Sequence, residues 1–144
     1  MVQKTDFGTA RNFFRALLLS FLTFGFYNLF YQFWLYRDLD EHYQLAFKFE
    51  PRSYPTLNNP TTLFIFLIIF PLYSYYTKYH LLHEHIATSP IQSSTNCAEG
   101  YKALLFFLFF TIPTLGIVPI ILEARWQKAF NEHLLAHKRQ KSRE

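Results

Sequence analysis

The sequence predicts an all-α integral membrane protein built from three helix-break-helix units, and three observations predict it. Residues 16–36, 53–77 and 103–122 carry no charged side chain. The first and third of these blocks approach the ~20 residues that a helix needs to cross ~30 Å of hydrocarbon. Aromatic residues make up 21% of the 144, with 18 Phe and 10 Tyr, which is far outside the usage of ordinary globular domains. Finally, the stretch at 23–42 returns at 114–133 with an offset of 91: Thr23 matches Thr114, Gly25 matches Gly116, and Glu41-His42 matches Glu132-His133. A repeat at fixed spacing marks a supersecondary unit.

Residues 1–8 read as a polar lead-in, and Thr9 as the cap of a helix that starts near Arg11, with Arg11 and Arg15 one turn apart at the level of lipid headgroups. The first block has no small-residue cleavage site, so it reads as a retained segment rather than a signal peptide. Gly25 ends the helix, because glycine just past a helix terminus takes the left-handed conformation at little cost. A second helix follows through Arg37, with Tyr27, Tyr31, Trp34 and Tyr36 placed where amphipathic rings favour an interface. Three prolines and two asparagines between 48 and 60 make a loop, with Asn59 capping and Pro60 opening the next helix. Pro71 then interrupts the pattern, since it lacks a backbone donor and crowds the preceding turn.

In the segment after Pro71, His83-Glu84-His85 takes the place of Asp40-Glu41-His42 at an offset of 43, and Tyr79 that of Tyr36, which makes a degenerate middle copy. A second loop, rich in Ser, Thr and Asn, covers 88–100. In the third block Pro113 kinks the incoming leg, Gly116 ends it and Pro119 suits the first turn of the next helix. The units are thus about 9–47, 60–87 and 101–138 in a single membrane domain, with a basic tail at 138–144. Each unit is either a kinked single span or a re-entrant hairpin, and the re-entrant form is favoured because Arg11 and Arg15 then need no export. Both forms place the carboxyl terminus in the cytoplasm, since most Lys and Arg residues fall on its side of the apolar blocks.

The residues Thr23-Phe24-Gly25-Phe26-Tyr27, the aromatic run with Trp34, and Leu39-Asp40-Glu41 resemble the signature of the domain-of-unknown-function 4234 family of small prokaryotic membrane proteins. Residues 115–134 are similar to that family's closing segment, and the resemblance covers about two thirds of the chain. The middle copy departs from it, having Pro71 and no Thr-x-Gly. The resemblance implies a multi-pass protein of a bacterial cytoplasmic (inner) membrane and implies no activity.

Six histidines call for a test against metal. His80, His83 and Glu84 share a helical face, and His133 and His137 are one turn apart, the spacing of a two-histidine ligand pair. The three Glu-His pairs, one per unit, offer His42, His85 and His133 for a shared site. Against this, none of the six lies in an uncharged block, and interfacial hydrogen bonds satisfy such histidines without a ligand. No metal or cofactor is therefore assigned, and a buried bis-histidine haem is disfavoured.

Catalysis finds no support. No Gly-x-Ser-x-Gly occurs, the four glycines are scattered, and the lone Cys97 sits in a polar loop and excludes any internal disulfide. Glu123 and Arg125 pair with each other or with Asp38 and Arg37, as glue between units rather than as a proton relay. The tail reads as a lipid-facing anchor, not a nucleic-acid site. The function expected is a non-catalytic scaffold or accessory subunit on a lipid bilayer, in a homo-oligomer or a larger membrane complex. The alternative is a metal-binding or proton-conducting protein that uses the Glu-His pairs.

Overall fold

In the computed structural model of the chain, residues 3–46, 65, 67–91 and 93–142 are described. The predicted loop at 48–60, with Asn59 and Pro60, lies outside them. A two-stranded antiparallel hairpin, β1 (Gln3–Thr5) and β2 (Gly8–Ala10), leads into the helices α1 (Phe13–Leu22), α2 (Phe26–Ala46), α3 (Pro71–Thr88), α4 (Gly100–Phe110) and α5 (Ile117–Lys141). The fold is therefore not purely α. The segment expected as a polar lead-in pairs Lys4 with Thr9 and Thr5 with Gly8, and its turn drives Phe7 into the core. Thr9 is a strand residue, and Asn12 caps α1 by accepting a hydrogen bond from the Arg15 backbone N–H at 3.0 Å. Pro71 opens α3 at its first turn, where its missing donor has no cost.

Gly25 and Gly116 lie at the breaks between α1 and α2 and between α4 and α5, with φ of 91° and 82°. The residue before each, Phe24 and Leu115, shares an unusual φ of 50°. The two turns are built alike. The glycine N–H reaches back to the Ser20 carbonyl at 2.7 Å in one and to that of Thr111 at 2.8 Å in the other. The hydroxyls of Thr23 and Thr114 each donate to the carbonyl four residues earlier and accept from the N–H four residues later. The Thr-x-Gly motif is thus a turn device that satisfies backbone groups both α-helical ends would leave open.

These breaks correct the integral-membrane expectation. Among the described residues no helix is long and apolar enough to cross a membrane. The first and third uncharged blocks are divided: α1 has 10 residues and α4 has 11, about 15 Å of helix apiece against ~30 Å of hydrocarbon. The long helices α2 and α5 become charged beyond Tyr36 and Leu122. Transmembrane helices, multi-pass insertion and the inner-membrane placement that rested on them are set aside with it. The apolar residues of the turns remain exposed, Phe24 at 96% and Leu115 at 92%.

The core runs along α2, α3 and α5, which present their residues in one register. Leu35, Lys78 and Trp126 occupy one layer, Leu39, Leu82 and Phe130 the next, and His42, His85 and His133 a third; all nine are buried. The offsets between copies are 43 and 91 throughout, so the middle segment keeps the buried positions of its neighbours although little else of their sequence. Steps of four and three residues place each layer on the same helical stripe. Tyr31 and Tyr36, expected at an interface, are buried; Tyr31 donates to Gln127 Oε1 at 2.7 Å and Tyr36 to the Ser74 carbonyl at 2.9 Å. Trp34 keeps a half-exposed position, with Arg11 stacked 5.1 Å from its ring.

Candidate metal centre

The histidine layer closes the polar end of the core. His42 of α2, His85 of α3 and His133 and His137 of α5 are all buried, and their ligand nitrogens lie within 4.8 Å of one another. The Nε2 atoms of His42 and His85 are 3.0 Å apart, those of His85 and His133 2.9 Å, and those of His133 and His137 3.1 Å. The rings stand edge-on: His42 is inclined 85° to His85 and 88° to His133, and His133 is inclined 86° to His137. His137 joins because one helical turn brings it over His133.

Hydrogen bonding alone does not account for this arrangement. An imidazole nitrogen has one in-plane position, filled either by a proton or by a lone pair. The Nδ1 of His42 faces the Phe7 carbonyl at 2.7 Å, which only accepts, so the neutral ring carries its proton there and turns the Nε2 lone pair inward. The Nδ1 of His133 meets the Ser93 hydroxyl at 2.7 Å, a partner able to hold the same tautomer. The His85 Nε2 nevertheless approaches two other Nε2 atoms, and so does that of His133. One position per atom cannot serve two neighbours. A cation at the centre can accept all four lone pairs at once.

Burial keeps the rings of His42, His85 and His133 neutral. Loss of solvent pushes His42 down from the usual 6.5 to about 3 and His85 down to about 2, with neighbouring histidines adding to the effect at His85, and it depresses His133 as well. Four neutral imidazoles are the donor set suited to zinc and related divalent ions. Tetrahedral Zn–N bonds of ~2.0–2.1 Å set the nitrogens about 3.4 Å apart, within a few tenths of an ångström of the three close spacings. The Phe7 carbonyl and Ser93 hydroxyl supply outer hydrogen bonds of the kind that orient ligating histidines.

Of the residues singled out in the sequence, His42, His85, His133 and His137 come together, and the others do not. His83 points elsewhere, its Nδ1 2.8 Å from the Cys97 carbonyl, because two helical residues turn it about 200° from His85. His80 pairs with the exposed Glu84 at 3.6 Å. The glutamates of the Glu-His pairs brace the periphery: Glu41 accepts from Thr9 at 3.5 Å, and Glu132 accepts from Ser94 at 2.7 Å and Thr95 at 2.5 Å. Cys97 is buried, its thiol pushed up to about 12 by desolvation, and its Sγ approaches the Tyr79 carbonyl rather than the histidines.

A second polar layer crosses the same core further along. Lys78 Nζ donates to both oxygens of Glu123 at 2.6 Å and to Gln32 Oε1 at 2.9 Å, while Tyr79 donates to Glu123 at 3.2 Å. Desolvation draws the Lys78 amine down from its usual value, opposed by the Glu123 carboxylate. Glu123 thus pairs with Lys78, not with Arg125 or Arg37, and the buried Asp38 is held by the guanidinium of Arg11. Sequence reasoning missed Lys78, which stands where the other two copies place Leu35 and Trp126. That substitution of a charge into a buried register position was the available signal.

No family model, curated protein or solved structure matches the chain, and the chemistry of the site is argued from its own residues.

Proposed function

We propose that this chain is a metal-binding protein in which His42, His85, His133 and His137 hold one divalent ion of the zinc class. The observation that carries the reading is the convergence of four buried Nε2 atoms, each with one in-plane position, on a common centre. Four protein ligands leave a tetrahedral ion no open position, which is the pattern of structural rather than catalytic zinc. The role that follows is architectural: the ion ties the three long helices and, through Phe7, the amino-terminal hairpin into a scaffold or accessory subunit. The exposed apolar side chains at the two turns, Phe24 and Leu115, support that role by leaving apolar surface for a partner.

Elemental analysis of protein prepared without a histidine tag tests the proposal. One equivalent of metal is expected, and Co2+ exchanged into the site shows tetrahedral ligand-field bands. His85→Ala and His133→Ala each remove the metal and the bands, whereas His83→Ala leaves both. Absence of a stoichiometric ion, combined with indifference of the melting temperature to chelator and to added Zn2+ or Co2+, overturns the reading.

A further inference from the structure

A cavity of about 800 Å³ opens between α1, α2, α3, α4 and α5, away from the histidine layer. Its walls are apolar, with Leu17, Phe21, Leu29 and Phe107 among them, and its floor is the second polar layer: Gln32, Lys78 and Glu123. The volume lies in the range of small-molecule sites.

The floor sets the chemistry of the occupant. A buried ion pair packs no better than apolar side chains of the same volume and is usually the less stable choice. The equivalent positions of Lys78 are Leu35 and Trp126, so the core packs an apolar residue there twice. The charges also cancel. Lys78 directs its three donors to Gln32 and Glu123, and no net charge is left to draw an ionic head. Hydrogen-bonding capacity does remain. Gln32 Nε2 carries two N–H groups, and among the described residues its one contact is a long 3.4 Å approach to Glu123. Glu123 is the least buried member of the ion pair, with 14% of its side chain exposed, and it lines the cavity as an acceptor.

We propose that the cavity binds an amphiphile with a long apolar chain and an uncharged hydrogen-bonding head, such as an alcohol or amide, the head meeting Gln32 and Glu123 at the floor. This site is independent of the metal reading.

Displacement of the neutral fluorophore N-phenyl-1-naphthylamine, with detergent held constant across variants, tests it. 1-Hexadecanol displaces the probe at least tenfold more tightly than hexadecanoate, which meets Glu123, and than hexadecylamine, which meets Lys78. Ser20→Trp places an indole in the cavity and weakens displacement at least tenfold, with the melting temperature and metal content unchanged. Gln32→Glu keeps an acceptor for Lys78 and adds one negative charge to the floor; it shifts the preference from the alcohol toward the amine. Equal uptake of the three head groups, or uptake that ignores Ser20→Trp, places the probe on the exposed apolar turns and overturns the proposal.

Discussion

The two polar layers of the core, at 32/75/123 with Lys78 and at 42/85/133, lie about 15 Å apart along the same three helices and resolve their burial in opposite ways. In the first the side chains are complementary: a three-donor ammonium faces a carboxylate and an amide oxygen, and the charges balance within the layer. In the second they are identical, and four like groups with one in-plane position each have no complete solution among themselves. Unlike side chains balance one another's charge. Like residues at equivalent positions demand a partner from outside the chain.

The largest effect expected is the loss of that partner. Structural zinc contributes apparent free energies of ~10 kcal/mol or more. Chelation should therefore lower the melting temperature by tens of degrees or unfold the chain, followed by calorimetry with and without Zn2+. A chelator-treated protein that melts unchanged breaks the contrast between the layers. At the complementary layer, Glu123→Leu strands the Lys78 ammonium in the core and costs about 3–5 kcal/mol in chemical denaturation. The double variant with Lys78→Met returns to within about 1.5 kcal/mol of the parent, because the pair rather than either charge is what the layer needs.

Acid separates the layers further. In metal-free protein the folded pKa values of His42, about 3, and His85, about 2, lie below the unfolded 6.5. Between those limits the unfolded chain binds protons that the folded chain refuses, so unfolding becomes easier as pH falls. The stability is fully present above pH 6.5 and declines below it by up to about 1.4 kcal/mol per pH unit for each such histidine. Urea titrations of metal-free protein at pH 7.5 and 5.5 measure this, and a flat response removes the histidines from the core. The smallest effect is expected at the outer shell. Ser93→Ala removes the partner of the His133 Nδ1 and weakens metal affinity about tenfold to a hundredfold without abolishing the site, as read by competition with a chelating indicator.

Much of the plan was legible in the residues. The 91-residue offset located the first and third units, and the Glu-His pairs pointed to three of the four clustered histidines, because repetition transfers position from copy to copy. Turn chemistry at Gly25 and Gly116 was readable for the same reason. The length of the apolar blocks misled, since counting uncharged residues ignores that an αL turn at the midpoint halves the helix. The small hairpin escaped notice because strands of three residues carry too little alternation to be seen. The pairings of Lys78 with Glu123 and of Arg11 with Asp38 were not legible for another reason. Which charges meet across helices depends on rotation about each axis, and the middle copy's faint likeness left its register unset.

The histidine centre draws on residues 42, 85, 133 and 137 and on the carbonyl of residue 7. Its ligands are separated by gaps of 43 and 48 residues, so the clasp forms only once the chain has been made through residue 137, at a loop-closure entropy that grows slowly with gap length. Chains halted during synthesis before residue 133 lack two of the four ligands and leave the remaining pair without its counterpart. Under the metal reading, a growing chain retains the ion only after residue 137 has joined the other three ligands.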